Sequence, residues 1–415
     1  MLAPSFLPFL TTETSHLEAL TNINTEAYTP QLVLIGPLNH SLKSQALKSL
    51  GDITNTKSMT YLNMEEHKKI YLEIFEHEFG DLGRYRNIIV EDEDKIRESY
   101  SESTAWIKTL EFVDMILHDC VFVLMFIWMR ISREETGGKT GDPLMEEPCL
   151  QIAVKKDLIL LDNQLPYFIL EKLFNTIVST IIPSWTFRDL VIRYFGIHDK
   201  IDSNSKFSHF TDLSRCARTE TLKELTSGNY KPLKHMYNTE KLVSGGVKFE
   251  AVENRLSLKV RFEDGCLKMP FLKVEEGTEM QLRNIVAFEQ CHYPKQAHVT
   301  NYILFLDYLI DTSKDVDLLV DRGIIKNMMG QHSVVAEMVN KLSIGTIVFG
   351  SYYYDIMDQV NAYYTNPYQR SKAFLKRVYF SNMWIGTATV TAVLLLLMTL
   401  IQIVASIIQV VQNAH

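Results

Sequence analysis

The chain has 415 residues, of which 46% are hydrophobic and 22% charged, proportions ordinary for a globular protein large enough to bury a sizeable core. Its 42 basic and 50 acidic residues give a formal net charge of −8, which excludes a nucleic-acid binder relying on bulk electrostatics. The cysteines, Cys120, Cys149, Cys216, Cys266 and Cys291, are scattered and form no C-x-x-C pair, so they read as isolated reduced thiols and not as a disulfide framework or a zinc site.

Residues 1–27 are polar and weakly periodic, the pattern of a flexible N-terminal segment. Gln31 to Ile35 is a short apolar run closed by Gly36-Pro37, which predicts a buried strand or extended segment ending in a turn. From Met64 to Phe79, the spacing of Met64, His67, Tyr71, Ile74, Phe75 and Phe79 predicts an amphipathic helix, with His67 as a core histidine. Leu110 to Ile131 is the most apolar internal stretch. Its uncharged part, Cys120–Met129, falls well short of the roughly 20 residues that span a bilayer, so a buried core helix is expected. Residues 132–148 carry Gly137, Gly138, Gly141 and Pro143 among charges and read as an exposed loop. Gly138-Lys139-Thr140 looks like the end of a phosphate-binding loop, but Arg133 occupies the position where that motif needs its first glycine.

Asp157 to Phe174 is the centre of the chain. Two apolar blocks flank Asp162, Asn163, Gln164 and Pro166, so the stretch reads as a core-crossing segment with one polar joint. Pro166 suits the first turn of a helix, and Asp162 or Asn163 could cap it. The same residues could instead form a binding site. Helical patterns continue to about Tyr194, followed by a polar loop over Asp199–Phe207. Leu256, Leu258, Val260 and Phe262 alternate with polar residues before Asp264-Gly265, which predicts a β-hairpin turning into Cys266–Met269. Asp307 and Asp311 lie one helical turn apart, a geometry open to acid–base or metal chemistry. Thr312 followed by Asp315 reads more simply as a capping box, closed by Gly323.

Residues 351–382, rich in tyrosine (Tyr352, Tyr353, Tyr354, Tyr363, Tyr364 and Tyr368), read as a juxtamembrane stalk. The last segment, residues 383–411, has no charged residue and exceeds the length needed to cross the hydrocarbon core. Trp384 suits the interface. Arg370, Lys372, Lys376 and Arg377 precede the span and no basic residue follows it, which by the positive-inside rule puts the bulk of the chain in the cytosol. Each could add roughly 1 kcal/mol of attraction to anionic lipid. The predicted organisation is a mainly α-helical α+β globular domain over 28–350 with a small hairpin, then stalk and membrane helix.

Several of these stretches together resemble one family, the plant domain of unknown function 247 proteins. They are Tyr28–Pro37, Glu65-Glu-His-Lys68, Leu160–Leu170, Gly245-Gly-Val-Lys-Phe249, Leu282–Gln290, Asn301–Thr312 and Tyr379–Trp384. The family usually has proline before the tryptophan where this chain has Met383. The resemblance implies a single-pass membrane protein of plants with no agreed catalytic residues. Its grass members are linked to the S and Z self-incompatibility loci as proposed pollen-side determinants, which implies recognition through protein–protein contact.

The expected function is therefore membrane-anchored recognition or signalling at the plasma membrane or an endomembrane, with an unidentified protein partner, no nucleic acid, no cofactor and no catalytic or metal residues. Two alternatives stand beside it. One is a tethered scaffold. The other is a tethered enzyme, for which His67, Cys291-His292, His298 and Asp307/Asp311 are the raw materials, though no catalytic sequence motif accompanies them.

Overall fold

Two hydrophobic cores, one built from residues 32–217 and one from residues 222–360, organise the molecule. The computed structural model describes residues 19–49, 56–138, 141–181, 185–197, 201–202, 204–220, 222, 231, 235–252, 256–380 and 383–413. Residues 1–18 of the expected flexible N-terminus, Lys139-Thr140, parts of the 199–207 loop and the end of the stalk lie outside the described residues. Residues 19–27 are not loose: Leu20 and Ala27 are buried, and Thr25–Tyr28 forms a 3-10 turn.

The first core holds α1 (His40–Lys48), α2 (Thr56–Phe79), α3 (Leu82–Glu91), α4 (Glu93–Glu98) and α5 (Thr109–Thr136), then α6 (Pro143–Glu146), α7 (Pro148–Asp157), α8 (Tyr167–Ile181), α9 (Phe187–Phe195) and α10 (Phe210–Thr219). Helix α5 is the axis, with α2, α3, α8 and α9 packed around it. Its apolar residues occupy every face from Phe112 to Ile127, and 72% of its hydrophobic window is buried, so it is a core helix as its sequence predicts. Helix α2 buries Met64, Tyr71 and Phe75, while Ile74 points off the buried stripe and is 38% exposed.

The region expected as a loop over 132–148 is largely ordered. Helix α5 continues to Thr136 and ends on Gly137 in the left-handed conformation at φ 68°. Asp142 then caps α6 through the Leu144 N–H, and Leu144 and Met145 are buried. The Asp-Pro start and the Leu-Met pair supply both a cap and an apolar anchor, which the glycine content of the stretch had masked.

The second core contains α11 (Thr239–Ser244), β1 (Lys248–Val252), β2 (Arg261–Glu263), β3 (Cys266–Pro270), β4 (Leu272–Val274), α12 (Thr278–His292), α13 (His298–Leu309), α14 (Ser313–Asp321), β5 (Ile325–Asn327), α15 (His332–Leu342) and α16 (Tyr354–Thr365). The hairpin is present as β2 and β3, antiparallel, with Asp264 at φ 50° and Gly265 at φ 73° in its turn. It belongs to a three-stranded sheet, because β1 joins β3 in parallel with Lys248 opposite Cys266. A second small sheet pairs β4 and β5 in parallel.

The tyrosine-rich stretch does not begin as a stalk. Tyr353 is fully buried, with its hydroxyl donating to the Leu258 carbonyl at 2.7 Å. Tyr353, Met357 and Val360 recur at helical spacing and carry α16 into the second core. Only α17 (Pro367–Tyr379) and α18 (Met383–Asn413) lie beyond it.

Candidate functional site

The centre predicted from the sequence is where the first core closes. Residues 32–36 are buried without joining a sheet, so their backbone groups need other partners. Side chains supply them. The Asp157 carboxylate accepts the N–H groups of Gln31, Leu32 and Val33 at 2.8, 2.7 and 2.8 Å. Asn163 Oδ1 accepts the Ile35 N–H at 2.6 Å, and its Nδ2 donates to the Val33 and Asp157 carbonyls at 3.0 and 2.9 Å. Gly36 donates to Asp119 at 2.8 Å, and a Cβ on Gly36 would stand 2.5 Å from the Gln164 carbonyl oxygen. Burial pushes the Asp157 carboxyl up to about 6 against the pull of its three N–H donors.

The motif residues divide between these tasks. Gln164 Nε2 donates to the Leu158 and Leu160 carbonyls at 2.7 Å each, and its Oε1 accepts the Phe210 N–H at 3.0 Å, tying the turn to α10. Pro166 is buried just before α8, and the Tyr167 N–H goes to the Ser208 carbonyl at 2.7 Å. The expected helix cap from Asp162 or Asn163 is therefore not made, because Asn163 is already committed to the 33–35 segment. Asp162 is the half-buried member; burial, then Glu102, pushes its carboxyl up to about 6. Its carbonyl, with Ile35 O and Asn163 Oδ1, receives the buried Asn39 amide at 3.1, 3.2 and 2.8 Å.

Beside this knot lies an ionic cluster that the sequence reading missed. Lys68 has no exposed surface, and its ammonium donates to Asp119 at 2.6 Å, Glu65 at 2.7 Å and the Leu34 carbonyl at 2.5 Å. Burial disfavours the charged Lys68, but Asp119 and Glu65 outweigh it and hold its pKa above the ordinary value. Lys43 approaches the same two carboxylates at 3.5 and 3.4 Å. One signal was available: Lys68 falls between Met64 and Tyr71 on the apolar stripe of α2, where a lysine must be paired.

A second cluster sits where α10 meets α12 and α13. Glu289 is fully buried and accepts the N–H groups of Val299 and Thr300 at 3.0 and 2.8 Å and the Thr300 hydroxyl at 2.8 Å. Arg215 lies 3.4 Å from Glu289 and 3.7 Å from Asp212, with its guanidinium 3.8 Å from the Tyr293 ring centre. His209 caps α10 through the Asp212 N–H. Burial, then His292, pushes His209 down to about 3; burial, then Arg215, pushes His298 down to about 4. These imidazoles are neutral at pH 7. Of the residues considered for catalysis, His292 and His298 come to this seam. His67 instead pairs with Asp142 at 3.3 Å. Asp311 lies beside the capping box that Thr312 makes with Asp315, and the Asp315 carboxylate also accepts the Glu240 N–H at 2.8 Å. Among the described residues no group of three or more His, Cys, Asp or Glu is arranged to hold a metal. A cleft of about 140 Å³ opens at the junction of the cores, lined by Asn24, Gln31, Lys156, Asp157 and Glu279 among others.

The remaining candidate is C-terminal. Arg370 and Lys372 are exposed on α17, Arg370 lying 5.7 Å from the Tyr364 ring centre; the side chains of Lys376 and Arg377 lie outside the described residues. Helix α18 is apolar over Met383–Val410, with mean hydropathy 2.5, and none of that window is buried against protein.

A mainly helical body knit internally by buried polar side chains, followed by an uncovered apolar helix long enough to cross a membrane, is the class of protein defined here. The chain belongs to the DUF247 family, described as plant proteins of unknown function, whose model matches residues 16–398. It is 26% identical to the UPF0481 protein At3g47200 of Arabidopsis thaliana over 93% of this chain and 84% of that protein. It is also 28% identical to the putative UPF0481 protein At3g02645 of the same plant, over 39% of this chain and 31% of that one. No solved structure matches.

Proposed function

We propose that this protein is a membrane-anchored recognition or signalling protein whose body sits on the cytosolic side and acts by binding another protein, with no catalytic step of its own. The observation that carries the reading is the contrast between its two long apolar helices: 72% of the window in α5 is buried, against 0% in α18. A helix of 31 residues is about 46 Å long, more than the roughly 30 Å of a bilayer's hydrocarbon core. The basic residues before it support the cytosolic orientation. The polar motif and the ionic clusters are engaged in holding the fold together, which turns attention to exposed surface for the partner. Ile344, Ile347 and Phe349, at 51, 55 and 67% exposure between α15 and α16, offer one such apolar surface. Resemblance to a family whose grass members are linked to self-incompatibility loci supports the finer reading of a pollen-side determinant; a scaffold role would need the same anchor but no variable recognition surface.

The test is protease treatment of sealed microsomes carrying the full chain with an N-terminal tag. The expected result is loss of the tag with a protected C-terminal fragment, in membranes that retain the protein after alkaline wash. Release by the wash would overturn the anchor, and protection of the tag would overturn the orientation.

A further inference from the structure

Helix α17 has two faces with different fates. At about 100° per residue, Gln369 and Ala373 share one face, and that face is docked on the body. A Cβ built on Gly246 would meet the Ala373 Cβ at 2.9 Å and the Gln369 carbonyl oxygen at 3.8 Å, and Gly246 itself holds φ +94°. The helix therefore approaches the turn between α11 and β1 as closely as a glycine allows. The opposite face carries Tyr368, Phe374, Leu375, Val378 and Tyr379, which are between 41 and 71% exposed. Nothing in the chain covers it among the described residues.

The helix register sets Lys372 along one edge of this apolar face and Arg370 along the other. Pro367–Tyr379 contains no acidic residue, although the whole chain is acidic at −8. Apolar and aromatic side chains flanked on both sides by cations suit an anionic lipid surface, where rings and aliphatic chains enter the headgroup boundary and the cations meet lipid phosphates. Position favours the same occupant. Helix α18 begins four residues after α17 ends, the Thr389 hydroxyl lies 3.1 Å from the Tyr379 carbonyl oxygen, and a Cβ on Gly386 would lie 3.6 Å from Phe380. The end of α17 is thus fixed beside the second turn of the apolar span, at the level where a bilayer has its interface.

We infer that α17 is an interfacial helix that lies in the plane of an anionic membrane leaflet and clamps the body against it. This rests on α18 crossing the membrane. The body is then held at a set tilt by the Gly246–Ala373 contact, with the α11–β1 turn toward the lipid, instead of swinging on a tether.

The test is amide hydrogen exchange on the full chain reconstituted in vesicles, comparing phosphatidylserine-containing with pure phosphatidylcholine membranes. The amides of 374–379 should exchange roughly tenfold or more slowly in the anionic vesicles. Leu375→Glu/Val378→Glu should abolish that difference while α18 stays protected. Equal exchange in the two lipids with α18 still protected overturns the inference and leaves the anchor standing. Slowing that follows protein concentration and ignores lipid charge overturns it in favour of a second copy on this face. Free exchange throughout α18 overturns the anchor and the inference together.

Discussion

Lys68 and Asp119 show how much of this fold depends on single buried charges. Both side chains are fully buried, and each also holds a backbone group of the 34–36 segment. Removing one partner of such a pair strands the other, at a cost of about 3–5 kcal/mol. Lys68→Met should therefore lower the denaturation free energy of the detergent-solubilised full chain by that amount. Lys69→Met, which breaks an exposed pair with Glu66 one residue away, should change it by less than about 0.5 kcal/mol. The seam histidines give a pH-dependent counterpart. His209 and His298 have folded-state pKa values pushed below the ordinary 6.5, so the unfolded chain binds more protons on acidification. Their contribution is complete above pH 6.5 and is lost as pH falls toward 4. The raised carboxyls of Asp157 and Asp162 act in the opposite sense below pH 6, so the comparison is best made between variants. His209→Asn keeps a helix-capping acceptor at the α10 N-terminus but removes the titration, and should flatten the fall in urea midpoint between pH 7 and 5. An unchanged slope would show that His209 is not buried neutral.

At the scale of elements, spacing and specific turn and cap residues were better guides than the bulk composition of a stretch. The α2 stripe, the core character of α5, the Asp264-Gly265 hairpin and the Thr312/Asp315 capping box were all legible, because each follows from spacing or local backbone chemistry. The segment 32–36 was legible as buried. Its partners were not, since most come from α5, α7 and the turn before α8, more than 80 residues away in sequence, and Lys68 comes from α2. The candidate site was half legible for the same reason. Asp162, Asn163, Gln164 and Pro166 stood out, whereas Asp157, Asp119 and Lys68 became part of the picture only through distant pairing. Tyr352, Tyr353, Tyr363 and Tyr364 were misplaced because a stalk and a core helix share the same spacing. Tyr353→Phe separates the two: loss of the buried hydroxyl bond to Leu258 should destabilise the protein by about 1 kcal/mol, whereas a tyrosine on a stalk would give no change in thermal unfolding.

For the whole molecule, the two cores are joined by helix packing of α10 on α12 and α13 and by polar contacts. Asn284, fully buried, donates to the Ala27 carbonyl at 2.8 Å and accepts the Leu161 N–H at 2.8 Å, so one amide grips both the N-terminal 3-10 turn and the central motif. Ala27, Tyr28 and Ala287 form a small apolar contact beside it. Asn284→Ala should cost about 1–3 kcal/mol and split a single calorimetric transition into two, as the cores lose their shared joint. A single transition at lower temperature would mean that Arg215 and Glu289 suffice to couple them. The buried Asn39 amide has one more consequence, which concerns sugar. Asn39-His40-Ser41 fits the acceptor pattern for N-linked glycans, yet in the folded body that amide is 5% exposed and its hydrogens are directed at three internal oxygens. A glycan there and the closed knot around Asn163 exclude each other. A body threaded into the secretory lumen would meet the oligosaccharide-transfer machinery before it folded, and every modified chain would be barred from its native packing. A body folding in the cytosol never faces that competition.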